Sequence, residues 1–381
     1  MLLPENPIMK KLILLTIHLI SSNFIFSQCN GRYQSEIFNS CTINTINYSD
    51  IYTDNAHEMD IYMPNDDTVT NRPLILFLHG GSFLGGDKGT VECVDFCEAF
   101  AKKGYVTASA NYRLAADAQS FALYQEEQYT TVLKAVSDIK GAVRYFRKSI
   151  ANGIPYGIDG NTIFIGGSSA GAVAALHMAY IDNINDLPSS VTDILGNTFN
   201  VQNLIATIGG DLEGDAGNNG FSSSVSGVVS FAGGINDVNW IDNADEPLVS
   251  CQGDADLTVN YNCGPGLGYP TVLQLCGTAE MHPQANISAI TNDYLVFSGA
   301  DHSWCSAGIN DQRFVQAIEF TKDFLYPLLP CNSTTSINEL FVKKKLINIV
   351  NLLGKNSKIY NNTPLFYIYS DGSVEYKIQI E

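Results

Sequence analysis

Basic residues are scarce: 21 Lys and Arg stand against 39 Asp and Glu, a formal charge of −18 over 381 residues. A surface this acidic repels phosphate backbones and anionic headgroups, and no Lys/Arg cluster outside the termini offsets it. Nucleic acid is therefore excluded as an expected partner. None of the nine cysteines forms a CxxC pair, which disfavours a zinc site. The apolar run near the N-terminus, in "MKKLILLTIHLISSNFIFSQ", is interrupted by Thr16, His18 and Ser21 and is too short to span a bilayer comfortably. There is no internal repeat and no low-complexity tract. The acids of "DLEGDAGNNG" (211–220) do not make an EF-hand, because Ala216 stands at the sixth position and Ser222 at the twelfth. No metal site is expected.

What is present points to an exported globular protein. Lys10 and Lys11 precede the apolar run, and small and polar residues follow around Ser27, so residues 1–27 read as an export signal. Export to an oxidising space makes disulfides the expected use of cysteine. Cys29/Cys41 and Cys263/Cys276 are close enough in sequence to close local loops, and Cys93 and Cys97 lie one helical turn apart. With nine in all, at least one thiol stays unpaired within the chain. A hydrophobic content of 45 % and this length suit one large α/β domain plus an appendage.

Strand and helix signals alternate from residue 57 onward. Apolar runs at 57–64, 72–81, 105–114, 163–168, 223–234, 246–256 and 293–302 are spaced by helical patterns at 93–104, 129–151, 170–180 and 311–324. Strands buried on both faces and separated by helices imply a mostly parallel sheet covered on both sides. Residues 181–221 break the alternation and read as a lid or rim. After Cys331 the composition changes: the "NSTTS" linker leads into a Lys-rich piece that reads as strands with a turn at Asp371-Gly372. The expected organisation is a signal at 1–27, a catalytic domain at 28–331, and a linker with a small β module at 332–381.

The stretch "IFIGGSSAGAVAALHMAY" (163–180) carries the chemistry. A dinucleotide turn needs Gly where Ser168 stands, and a P-loop needs a lysine that is missing. The remaining pattern is the nucleophile elbow G-x-S-x-G, which fits Gly167-Ser168-Ser169-Ala170-Gly171 in one register and makes Ser169 the nucleophile. A serine hydroxyl needs a base, and the base needs an acid to fix its tautomer. Of the later histidines, His177 lies on the elbow helix and reads as structural, and His282 precedes a proline and reads as a surface-loop residue. His302 directly follows an apolar strand, where the base belongs. Asp254 and Asp256 both follow the strand before it; Asp256 is preferred because a Gly-x-x-Asp turn gives its carboxylate reach. "LHGGSF" (78–83) offers backbone N–H donors at Gly81 and Ser82, with Ala170 as the third, for an oxyanion. Phe83, Leu84 and Trp304 lie beside these residues and either line an apolar pocket or belong to the core.

Together the HGG loop, "NYRL" at 111–114, the GSSAG elbow, the Asp loop and the late His resemble the α/β-hydrolase family, in its carboxylesterase/lipase-like branch. The resemblance covers roughly residues 50–330. It departs from the family pattern at Ser82, where a third glycine is usual, and at Gln252, where a histidine is usual. The family implies the α/β-hydrolase fold, ester hydrolysis through an acyl-enzyme and no cofactor. The substrate class is then a small-molecule or polysaccharide-linked ester, such as an acetyl or feruloyl ester. A peptidase of the same fold and a binding protein on the same scaffold are the rival readings. The tail ("NLLGK", "YSDGSVE", "KIQI") resembles the C-terminal sorting domains of the type IX secretion system, which implies export to the medium or the cell surface through that machinery.

Overall fold

The computed structural model describes residues 29, 31–153 and 155–331, together with three strands beyond them. The expected signal, the 332–336 linker and the Asp371-Gly372 turn lie outside the described residues. The chain divides into two compact units, Met1–Asn332 and Ser333–Glu381.

In the larger unit the strands are β1 (Cys41–Asn47), β2 (Glu58–Pro64), β3 (Arg72–Leu78), β4 (Val106–Ala110), β5 (Ile158–Ser168), β6 (Ser190–Thr192), β7 (Thr198–Asn200), β8 (Val228–Phe231), β9 (Leu248–Gly253), β10 (Cys263–Pro265), β11 (Gln274–Cys276) and β12 (Asn292–Phe297). The helices of eight or more residues are α1 (Val91–Lys102), α2 (Gln125–Ala151), α3 (Ala170–Tyr180), α4 (Thr278–Ile287) and α5 (Gln312–Leu325). Eight strands form one sheet in the order β1-β2-β4-β3-β5-β8-β9-β12. From β4 to β12 every pairing is parallel, and the antiparallel β1 and β2 close one edge. Every residue of β3, RPLILFL, is buried. A strand that is apolar on both faces survives only with a layer on each, and α2 and α3 cover one face while α1 and α5 cover the other. This architecture agrees with the sequence reading.

Residues 181–221 form the β6–β7 hairpin and a short helical turn, and they pack Val201, Leu204 and Ile205 against Leu133 of α2. None of them lines the pocket beside Ser169, while Asn185, Asp186, Leu187 and Pro188 line a separate hollow with Asn236 and Leu273. The acids of 211–220 neutralise neighbouring cations: Asp215 meets Arg113 at 2.6 Å and Glu213 meets Arg144 at 2.8 Å. Among the described residues, no group of His, Cys, Asp and Glu could hold a metal ion, and no helix is long and apolar enough to cross a membrane.

Two disulfides form. Cys263 bonds Cys276 as the spacing suggests, but Cys29 bonds Cys331, 302 residues away, and not Cys41. Cys41 instead opens the edge strand β1 as a free thiol, while Cys29 and Cys331 tie together two distant segments of the larger unit. In the smaller unit, strands 346–351, 364–369 and 374–378 pair antiparallel in that order.

Candidate active site

The central strands end at one rim, and three loops leaving it carry the residues singled out above. β5 runs into α3 through Ser169 alone, whose backbone takes φ 53° and ψ −120°. A non-glycine residue there is strained, and the fold holds it by crowding. A Cβ on Gly167 would sit 2.4 Å from the Gly171 backbone, and one on Gly171 would sit 2.3 Å from the Leu78 carbonyl oxygen. The elbow therefore needs both glycines for space. Its other serine points the opposite way, and Ser168 Oγ donates to the Cys305 carbonyl at 2.7 Å.

His302 opens a short 3-10 turn capped by Asp301, which accepts from the Ser303 N–H. Its Nε2 lies 2.7 Å from Ser169 Oγ, and its Nδ1 lies 2.6 Å from Asp256 Oδ2. Asp256 is 2 % exposed. Its second oxygen, Oδ1, accepts from the N–H groups of Thr258 and Val259, so the carboxylate is fixed before it meets the histidine. Gln252 braces the same loop by donating to the Val259 carbonyl and accepting from the Thr278 N–H. Asp254, the alternative acid, accepts from the Gly299 N–H and does not reach His302. Burial works against the charged imidazolium of His302, but the Asp256 carboxylate and the neighbouring Cys305 sulfur together more than offset it and hold the His302 pKa above its ordinary value.

The 78–83 loop faces the elbow. Gly81, Ser82 and Phe83 all have positive φ, at 115°, 59° and 61°. The N–H groups of Gly81, Ser82 and Ala170 find no protein acceptor among the described residues. Ser82 thus adopts, with strain, the left-handed backbone that a third glycine would take freely. His79 is buried against Tyr112 and donates from Nδ1 to the Gly80 carbonyl, which shapes the loop from beneath.

Beside Ser169 lies an apolar pocket with ≈ 60 Å³ of free space. Phe83 lines it, as do Phe121, Val132 and Val173. Two of the expected lining residues do not. Leu84 is 38 % exposed and turned away, and Trp304 is fully buried against Phe231 and Phe297 in the core across the sheet. His282 also departs from expectation: it is a fully buried residue of α4, bonded through Nδ1 to Asn292, and not a surface-loop residue. His177 is structural, held between the Val173 carbonyl and Asn236. The sequence reading missed Gln128, Asn236, Thr258 and the β10–β11 hairpin, all of which line the pocket. Only the Cys263/Cys276 spacing hinted at the hairpin.

A hydroxyl, an imidazole and a buried carboxylate in series can pass a proton away from an attacking oxygen, and free N–H groups nearby can receive negative charge. The model of the BD-FAE family matches residues 59–267, more than half of the chain. No curated protein matches the chain. An esterase from the Planctomycetes species Thermogutta terrifontis, with propionate bound, is similar at a TM-score of 0.53 and 20 % identity, over 76 % of this chain and 95 % of that one. Thermogutta terrifontis esterase 2 phosphorylated by paraoxon gives 0.52 and 19 %, over 76 % and 95 %. At such identities the likeness establishes the α/β-hydrolase fold.

Proposed function

The chain belongs to the BD-FAE family, and from that premise we propose that it is a serine carboxylic ester hydrolase with Ser169, His302 and Asp256 as its triad. Ser169 Oγ attacks the ester carbonyl, and His302 Nε2 takes the hydroxyl proton. The N–H groups of Gly81, Ser82 and Ala170 hold the oxyanion. His302 then protonates the departing alcohol, leaving an acyl group on Ser169. Water, activated by the same histidine, releases the acid and restores the hydroxyl. Asp256 keeps His302 in the tautomer that presents Nε2 unprotonated to Ser169. No step needs a cofactor.

The observation that carries this reading is the unbroken chain of contacts, 2.7 Å from Ser169 to His302 and 2.6 Å from His302 to Asp256. The pocket beside Ser169 is the place for the acyl group. Its lining is almost wholly apolar, with Phe83, Phe121, Val132 and Val173 facing the space beside Ser169, which suits the acyl part of an acetyl or feruloyl ester. The signal at 1–27, the sorting-like tail and the use of disulfides support export and action on esters outside the cell, including acetylated polysaccharide.

The test is turnover of p-nitrophenyl acetate, p-nitrophenyl butyrate and a peptide p-nitroanilide by the purified chain. Both esters are hydrolysed and the anilide is not; anilide turnover alone would make it a peptidase, and no turnover of any would make it a binding protein. The oxyanion assignment predicts a second result. In Gly81→Ala the new Cβ would sit 2.1 Å from the Gly85 carbonyl oxygen, so the loop must move its donors. The expected loss in kcat is about 10²–10³, that of one missing donor. A kcat within threefold of wild type would remove this loop from the oxyanion hole.

A further inference from the structure

One wall of the Ser169 pocket belongs to neither the sheet nor the helices that cover it. Gly266, Leu267, Val272, Leu273 and Leu275, on the excursion between β10 and β11, close the pocket opposite Phe83 and Val173. The excursion leaves the loop that carries Asp256, with six residues between that acid and Cys263. Its own ladder is only three residue pairs long, from Cys263↔Cys276 to Pro265↔Gln274. A two-stranded ladder so short does not hold its position unaided.

Clamps at both ends supply what the ladder lacks. At the base, the first pair of the ladder is also the Cys263–Cys276 disulfide. The β11 side is further tied to the body where Cys276 exchanges backbone hydrogen bonds with Ile235. On the β10 side Cys263 is exposed, and the disulfide acts there with two ties to the preceding loop, from Asn260 Nδ2 to the Pro265 carbonyl and from the Leu267 N–H to the Thr258 carbonyl. At the tip, the buried Gln128 of α2 donates to the Thr271 carbonyl and accepts from the Leu273 N–H. Thr271 Oγ1 donates to the Ala122 carbonyl at 2.6 Å.

We infer that this hairpin gauges the acyl group: the disulfide at its base and the Gln128 and Thr271 contacts at its tip hold it at the distance from Ser169 that admits short acyl chains and rejects long ones. The inference rests on the reading of Ser169 as the nucleophile of an ester hydrolase. It adds that selectivity resides in a clamped, separable wall and not in the sheet that carries the triad. Two variants loosen the clamps without touching the pocket lining, since none of Cys263, Cys276 and Thr271 lines it.

The experiment compares kcat/KM for p-nitrophenyl acetate and p-nitrophenyl octanoate in the wild type, in Cys263→Ser/Cys276→Ser and in Thr271→Ala, each checked for native circular dichroism. In both variants acetate turnover stays within about threefold of wild type, and the octanoate-to-acetate ratio rises at least tenfold. Thr271→Ala keeps the test decisive if the cysteine variant does not fold. An unchanged ratio in a folded variant that still hydrolyses acetate would overturn the gauge and leave the triad intact. Failure of the wild type to hydrolyse acetate would overturn the triad reading, and the gauge with it.

Discussion

Alanine at position 169 leaves a folded protein whose turnover of p-nitrophenyl acetate is at least about 10⁴-fold below wild type. The backbone at this position is already strained at φ 53°, and alanine tolerates it no worse than serine. The side chain loses one oxygen, and with it the only group on the elbow that meets His302. Steady-state kinetics with a thermal melt checks both halves of the statement. The neighbouring substitution gives the contrast. Ser168→Ala removes a tie to the Cys305 carbonyl and no reacting group, so its kcat falls by about tenfold at most, with a lower melting temperature. Equal losses at the two positions would mean that the elbow has been assigned to the wrong serine.

Asp256→Asn is expected to lower kcat by about 10⁴ while the loop keeps its shape. The asparagine Oδ1 can still accept from Thr258 and Val259, so the loss isolates the other oxygen. An amide nitrogen facing His302 Nδ1 cannot accept a proton from it, and the ring turns to the tautomer that cannot take one from Ser169. The pH profile gives an independent readout. His302 must be neutral to act as the base, and its pKa lies above 6.5 because the pull of Asp256, with Cys305 beside it, outweighs burial. The acid limb of kcat/KM therefore lies on the alkaline side of a free imidazole, and activity rises with pH through it. In Asp256→Asn burial is opposed by Cys305 alone, so the limb moves to lower pH even as the rate falls. For stability the sign is reversed: the imidazolium-carboxylate attraction is fully present at pH below 6.5, while Asp256 is ionised, and is lost as pH rises through the His302 pKa. A limb that stays in place in the variant would separate Asp256 from the base.

The parts of this arrangement that were legible in the sequence are those set by local chemistry. The glycines at 167 and 171 announce a turn where backbone passes backbone, and β3 declares its two covered faces by being apolar from Pro73 to Leu78. Asp256 was separable from Asp254 by its place in the Gly-x-x-Asp turn, and the two carboxylates do diverge, one to His302 and one to the Gly299 N–H. What failed was inference from adjacency. Trp304 is two residues from His302, but a 3-10 turn rotates about 120° per residue, so the indole leaves on a different face from the imidazole and enters the core. His282 looked like a loop residue because of Pro283, yet the proline lies inside α4 and the packing of that helix buries the ring. The Cys29–Cys331 bond and the Gln128 clamp join elements more than a hundred residues apart, and no local pattern encodes either.

The account stands on Ser169 being the nucleophile that His302 activates. The most direct test is to treat the chain with paraoxon and map the adduct by peptide mass spectrometry while following residual esterase activity. A single phosphoryl group on Ser169 is expected, acquired in step with the loss of activity, absent in Ser169→Ala and acquired far more slowly in Asp256→Asn. Labelling at Ser168 or elsewhere, or full activity in a chain phosphorylated at Ser169, would contradict the account.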